Sequence, residues 1–353
     1  MFQFKSKQLL SRDIGMDLGT ASVLVYVEGK GIVLNEPSVV AVDNDTDHIV
    51  KIGKDAQAML GRNPNNIEVI RPLKNGVISR YDVTQKMIQY FIRRACGNAL
   101  FQPRVVICVP TGISEVEERA VMDAGAQAGA KRTYLVEEPV AAAVGAGVDI
   151  FSPVGRMVVD IGGGTTDIAV ISLGGVVVSE SIKVAGDQFD EAIMRYVRRK
   201  HNIAIGERTA EQIKQKIGAV YEHREAKTME VKGRCLVQGL PKEVLISSKE
   251  MLEAMMEPIS SILDSICGVI ERTPPELVGD ILRDGIIMTG GGSLLYGFDR
   301  LIEDVTGIKT HVVRNPISCV AEGTGRILPW LGRMPEGMVD LSRVKRSKIR
   351  ENG

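Results

Sequence analysis

"VVDIGGGTTDIAV", Val158 to Val170, sets an aspartate and three consecutive glycines between two apolar runs, then adds two threonines and a second aspartate. A tight turn between β-strands needs one glycine or an Asn-Gly pair. Three in a row strip the main chain of side chains, which suits a place where another group touches the backbone itself. The device occurs twice. "RDIGMDLGTASVLVYVEGKGIV" (Arg12 to Val33) lines up with "RMVVDIGGGTTDIAVISLGGVVV" (Arg156 to Val178). Each reads as a short strand ending in Asp, a Gly-Thr turn, a β-rich second strand, a glycine turn and a third apolar run. Asp17-Leu-Gly-Thr20 matches Asp160-Ile-Gly-Gly-Gly-Thr165, 143 positions apart. Two unrelated Gly-rich hairpins could look alike by chance, but an acid and a threonine at matching ends of the turn favour duplication.

Outward from each device, strands alternate with helices. "RVVICVP" (Arg104 to Pro110) is a continuous apolar strand of the buried kind. "SEVEERAVMDAGAQAG" opens with a Ser114/Glu117 capping box and runs on as a helix. "TYLVEEP" reads as another strand and "VAAAVGAGV" as a small-residue helix. In the second half "GIIMTGGG" (Gly285 to Gly292) is a strand leading to a third glycine turn, with "SLLYGFDRLIEDVTG" as a helix after it. "RTAEQIKQKIGAVYE" is predicted as a helix with Thr209 as N-cap, Gln212 completing the box, and an apolar stripe of Ile213, Ile217, Val220 and Tyr221. Alternation of this kind predicts an α/β fold, and repetition makes it two similar lobes.

Bulk properties agree. At 353 residues the chain exceeds a typical single core. Equal counts of 44 basic and 44 acidic residues give no electrostatic case for nucleic acid as a partner. No apolar run approaches the roughly 20 residues of a spanning helix, and the N-terminal stretch lacks a signal-peptide core. The five cysteines are scattered without a CxxC, as expected of inert thiols in a reducing cytosol, and the four histidines are too dispersed for a zinc site. The segment "LPWLGRMPEG" reads as loop, and the basic last twenty residues as a tail.

If the two hairpins face each other, each offers bare backbone N–H groups to an anion, with Thr20, Thr165 and Thr166 adding hydroxyls. Asp17 and Asp160 would repel a lone phosphate, so their place at both turns implies a cation between them; Mg²⁺ held through its water shell fits. The third turn, Gly290-Gly291-Gly292, is expected to open a helix at Ser293 whose N-terminus takes another phosphate or the ribose. No GxxxxGK[ST] occurs and no GxGxxG follows a strand, so the usual P-loop and dinucleotide fingerprints are absent.

"DLGT", "EEPVAAAVGAG", "DIGGGTTDIAV", "TGGG" and "AEGTG", in this order, resemble the actin/Hsp70/sugar-kinase superfamily. More narrowly, "GKGIVLNEPSVVAVD", "RPLKNGVISRYDVT" and "IGERTAEQIK" resemble the MreB group of bacterial actin-like shape-determining proteins, from about Asp13 to Leu328. The resemblance implies an actin-like, ribonuclease H-like duplicated fold of two lobes and four subdomains, with ATP and Mg²⁺ in the cleft. Its implied division is 1–38, 75–150 and 316–353 for the first lobe's core with 39–74 as its small subdomain, and 151–186 and 247–315 for the second core with 187–246 as its small subdomain.

Roles follow by position. Gly19, Thr20, Ala21 and Ser22 match the first phosphate loop, with Ser22 where the group usually has a longer-reaching asparagine. Gly162, Gly163, Gly164, Thr165 and Thr166 match the second. Glu138 matches the residue that orients the attacking water, helped by Thr165, and a carboxylate there can accept a proton or hydrogen bond. Glu211, Gln212 and Lys214 lie on the helix used against adenine and ribose. "PVAAAVGAG" and "AEGTG" match two hinge helices whose small residues, Ala141 to Ala143, Gly145, Gly323 and Gly325, let backbones cross closely.

The resemblance further implies slow ATP hydrolysis coupled to filament assembly, and a cytoplasmic protein peripheral at the inner face of the cell membrane, with the cell-wall elongation machinery as partner. Leu100 and Phe101 in "NALFQPR" match a membrane-dipping loop, and Phe2 and Phe4 alternate with basic residues as a short interfacial segment would. The competing readings are an Hsp70-like or sugar-kinase-like ATP-using enzyme without polymerisation. The first needs a β-rich peptide-binding domain after the ATPase fold, the second an acceptor pocket with its own base; neither is found in the sequence.

Overall fold

A computed structural model describes residues 13–74, 76–97, 102–222, 225, 227–333 and 337–339. Phe2, Phe4, Leu100, Phe101 and the basic tail lie outside these residues. The sequence echo is a duplicated sheet. In the first large sheet, Ile14–Leu18, Ser22–Val27 and Gly31–Pro37 form an antiparallel meander, and Arg104–Val109 and Arg132–Glu137 continue it in parallel from the Ile14–Leu18 side, with Gly337–Met338 at the edge. In the second, Arg156–Ile161, Thr166–Ser172 and Gly175–Ile182 make the same meander, and Ile286–Thr289 and Thr310–Val312 the same parallel extension.

Apolar runs without alternation become strands buried on both faces. Val105, Val106, Ile107, Cys108 and Val109 are all buried in Arg104–Val109, as are Met157 to Ile161 in the first strand of the second meander. The outer face of the first sheet is covered by the helices Tyr81–Cys96 and Glu115–Gln127, the former contributing Val83, Met87, Ile88 and Phe91 at helical spacing. Glu115–Gln127 starts at the expected capping box: Glu117 N–H donates to Ser114 Oγ, and Ser114 N–H to Glu117 Oε2.

Between the two sheets lie the helices Glu138–Gly145 and Cys319–Ile327, whose buried residues join one apolar cluster with Val106 and Val136 of the first sheet and Val158 and Ala169 of the second. They cross at glycine. A Cβ on Gly323 would collide with the Ala141 carbonyl, and one on Gly145 with that of Cys319. Only glycine lets the backbones approach this closely.

Each lobe carries a small sheet inserted after the third strand of its meander. Val40–Asp43, His48–Ile52 and Ile67–Ile70 form one, over a minimal core of Val39, Ala41 and Ala56. Ile203–Ala204, Thr228–Cys235 and Pro241–Ser247 form the other, beside the helices Gly186–His201 and Glu207–Ile217. Among the described residues no helix is long and apolar enough to cross a membrane.

Three expectations need correcting. No α-helix opens at Ser293: Gly290 with φ 79° leads into a short 3-10 turn, Gly291–Leu294, extended Leu295 follows, and the α-helix Phe298–Thr306 begins only after left-handed Gly297. The helix holding Glu211 starts at Glu207 behind an extended Gly206, so Thr209 and Gln212 lie inside it and form no capping box. The start of "LPWLGRMPEG" is a 3-10 helix, Leu328–Arg333, rather than loop.

Candidate functional site

Two strands of like position, Ile14–Leu18 and Arg156–Ile161, deliver Asp17 and Asp160 to the same end of their sheets. The turn after each closes with the same hydrogen bond: Gly19 N–H to Ser22 O at 3.1 Å, and Gly162 N–H to Thr165 O at 2.9 Å. The turns face and touch. A Cβ added to Gly163 would lie 2.5 Å from Ala21 Cβ, and one on Gly164 2.6 Å from Thr20 Oγ1. The approach is therefore of backbone against side chain, which explains glycine at both positions.

Both turns are held from outside. Thr20 Oγ1 accepts from Gly76 N–H at 3.2 Å, in the hairpin Leu73–Lys74/Val77–Ile78. The carbonyls of Gly162 and Gly163 accept from Gly186 and Asp187 N–H, at 3.2 and 2.7 Å, so the helix Gly186–His201 is rooted on the second turn. Thr166 Oγ1 donates to Val184 O at 2.6 Å, so its hydroxyl is already engaged within the second lobe.

Four carboxyls converge beneath the turns. Burial pushes Asp17 up to about 7. Asp160 is raised well above the usual carboxylate range by burial, then by Asp167 and Asp17. Glu138, first residue of its helix, is raised by burial and by Asp167, Asp17 and Asp160 in turn. Asp167 sits opposite Asp160 across the ladder and is wholly buried; burial raises it, while the Thr111 N–H at 3.1 Å and the neighbouring Ser181 and Thr165 hydroxyls favour its anion. One oxygen each of Asp160 and Asp167 is buried with no hydrogen-bond donor. Four acids driven up together mark a place short of positive charge. Under them lies Cys108, its thiol pushed far up by burial and then by Asp17, Glu138 and Asp160, an inert floor rather than a nucleophile.

The third glycine turn joins the second loop. Gly290 packs against the Asp160 carboxyl and Ile161 carbonyl, its N–H donates to Pro316 O at 3.1 Å, and Ser293 Oγ closes back on Gly290 O at 2.7 Å. It supplies no helix N-terminus. Lys214 is engaged internally: its Nζ donates to Gly186 O at 2.8 Å and pairs with Asp190 Oδ2 at 2.7 Å. Glu211 and Gln212 line a cavity of about 800 Å³ between the two small subdomains, next to Asp187, Gln188 and Arg71.

Sequence reasoning missed several residues here. Asp167 stands in the opening motif, where its position two after Thr165 was a usable signal. Thr111, Asp190, Asp187 and Gly76 carry no local pattern that marks them. Among the described residues no three His, Cys, Asp or Glu side chains are arranged to ligate a metal directly.

A two-lobed α/β protein with duplicated sheets and paired Asp-Gly-Thr turns across a cleft is actin-like. The profile of the MreB/Mbl protein family matches residues 11–334, so the chain belongs to that family. It is 50% identical over 329 residues to the cell shape-determining protein Mbl of Bacillus cereus, covering 93% of this chain and 99% of the relative. It is 48% identical over 333 residues to the cell shape-determining protein MreB of Escherichia coli, covering 93% and 96%. The structure of MreB5 of Spiroplasma citri bound to ADP superposes with a TM-score of 0.87 at 38% identity, covering 97% of this chain and 99% of that one, and the same protein bound to AMPPNP superposes with 0.86.

Proposed function

We propose that this chain is a cytoskeletal ATPase that binds Mg²⁺–ATP between its two Asp-Gly-Thr turns and assembles, in that state, into membrane-associated filaments that organise cell-wall synthesis and rod shape. The observation that carries the reading is the facing pair of turns, each backed by an acid whose carboxyl burial raises. Gly19 to Ser22 and Gly162 to Thr166 would meet the phosphates, and Glu211, Gln212 and the Gly290–Ser293 turn would bound the base and ribose, with Lys214 holding the helix that carries the first two. Solved relatives with ADP and AMPPNP support a nucleotide in this cleft. On the same reading the chain divides into two lobe cores, 1–38 with 75–150 and 316–353, and 151–186 with 247–315, carrying the small subdomains 39–74 and 187–246.

The donor set fits a magnesium ion. Asp160 Oδ1 is buried without a donor, Asp17 adds to the rise of Asp160, and no three side chains among the described residues are arranged for direct ligation. Asp17 and Asp160 would hold the ion through its water shell, and bound there it would offset the phosphate charge. Glu138 would orient the attacking water and accept its proton, with the Thr165 hydroxyl as second hydrogen-bond partner. The small residues where Glu138–Gly145 and Cys319–Ile327 cross would let the lobes rotate as the nucleotide changes.

Leu100 and Phe101, with Phe2 and Phe4, are the residues proposed to enter the lipid surface; each site alone is weak, and a filament presenting many copies gains by avidity. The test is sedimentation of the purified protein with and without Mg²⁺–ATP, followed by imaging of the pellet. Filaments that appear only with nucleotide are expected. ATP hydrolysis without any polymer would favour the sugar-kinase-like alternative.

A further inference from the structure

Arg71 crosses the cleft. Its guanidinium places Nη1 at 3.4 Å from Asp187 Oδ1 and Nη2 at 3.9 Å from Glu207 Oε2, joining the first lobe's small subdomain to the starts of two second-lobe helices. Both helices reach the phosphate turns. Asp187 N–H is bonded to Gly163 O, and the Glu207–Ile217 helix is tied through Lys214 to Gly186 O. Arg71 is itself anchored on its own side, since Ser79 Oγ donates to both Arg71 O and Pro72 O. Five residues on, Gly76 N–H is bonded to Thr20 Oγ1 of the first turn. The arginine is thus the rim of a frame whose two sides are the two phosphate turns, and it lines the 800 Å³ cavity between the two small subdomains.

The two ends of this frame differ in strength. At the floor, the turns meet in close packing, and the Thr111 N–H reaches across to buried Asp167. At the rim the lobes are joined through a long side chain 28% exposed and partners 25% and 60% exposed. The pair to exposed Glu207 is long and screened by salt, and the one to part-buried Asp187 is long for a charged hydrogen bond, so both can break and reform without unfolding either lobe.

We propose that Arg71, through Asp187 and Glu207, is a clasp that gates entry and exit of the nucleotide at the cleft rim. The inference rests on the nucleotide reading above and adds its regulation. A clasp that touches the route but not the ligand changes both rates together and leaves affinity nearly unchanged. Salt loosens it, as would any partner that presents an acidic group to Arg71.

The test measures release of a ribose-labelled fluorescent ADP, chased with excess ATP, for wild type, Arg71→Ala and Arg71→Lys. In Arg71→Ala both release and association are expected to rise about tenfold with less than a threefold change in Kd, a tenfold rate corresponding to about 1.4 kcal/mol of barrier. Arg71→Lys, a point charge in place of the fork, should fall between. Raising salt should speed release from wild type and not from Arg71→Ala. Release that is unchanged, or faster release with unchanged association, overturns the clasp; the second would make Arg71 a ligand contact. Hydrogen exchange on the nucleotide-free proteins gives a separate reading: amides of Leu73, Lys74, Gly76, Val77, Ile78 and Asp187 should lose protection in Arg71→Ala, and equal protection overturns the proposal too. If the wild type binds no labelled ADP while Arg71→Ala still shows this loss, the contact across the rim stands and the nucleotide reading is refuted instead.

Discussion

The turn after Asp17 and the turn after Asp160 occupy equivalent places in duplicated sheets and close with the same hydrogen bond, yet they have diverged. The first is short, and meets its opposite with side chains, Thr20 and Ala21. The second is two residues longer between acid and threonine, and meets it with bare backbone, Gly163 and Gly164. Their acids differ as well. Asp17 is raised by burial alone, whereas Asp160 lies under the added repulsion of Asp17 and of Asp167, its partner across the ladder. Duplication supplied two copies of one turn, and packing against each other forced them apart in character: where one brings Cβ atoms, the other must have none.

The comparison can be broken most severely at the acid that neither turn contains. Glu138 comes from the first lobe but is raised chiefly, after burial, by Asp167 of the second. Glu138→Ala is expected to bind nucleotide normally and to lose about 10²–10⁴-fold in hydrolysis, read as phosphate release at saturating ATP. Unchanged release removes Glu138 from the chemistry.

A smaller effect probes the asymmetry of the turns themselves. Gly164→Val drives a side chain into Thr20, and overpacking of this kind costs about 1–3 kcal/mol; if the turn carries that cost into the bound state, nucleotide affinity should fall by roughly 5- to 150-fold. Gly19→Ala faces only the Ser22 carbonyl at 3.0 Å and the Asp17 carboxyl at 3.7 Å, and should cost clearly less. Equal losses in a fluorescent nucleotide titration would mean the two turns are interchangeable after all.

The mildest expected change is with pH. Burial lets Asp17 keep its proton up to about pH 7, against an ordinary value of 3.8. The native state therefore binds more protons than the unfolded chain between these values, so this group's contribution to stability falls as pH rises through that window and levels off above about 7. Mg²⁺–nucleotide favours the anion, so binding should release a proton below about pH 7, and affinity should be about tenfold weaker at pH 6 than on the plateau above 7. Asp17→Asn should flatten that dependence; calorimetry in buffers of different ionisation enthalpy counts the protons.

Much of this was legible in the chain because the signals are local. The Ser114/Glu117 cap, the apolar strand Arg104–Val109, the acid at each turn and the small residues of the crossing helices are patterns within a few residues of one another. Where reading failed, competing local geometry won. The stretch after Gly290 has helical periodicity, but extended Leu295 and left-handed Gly297 break it into a 3-10 turn and a later helix. Thr209 and Gln212 have the spacing of a cap, yet Gly206 ends the preceding extended chain earlier.

The sequence by itself determined the duplicated α/β plan, the two acid-bearing turns and the family, since periodicity, turn chemistry and motif order are properties of neighbouring residues. Only the tertiary structure decided which groups share the cleft: Thr111 with Asp167, Lys214 with Asp190, and Arg71 with Asp187 lie 56, 24 and 116 positions apart. Contacts across such separations are fixed by how the lobes pack, and no local pattern in the chain records them.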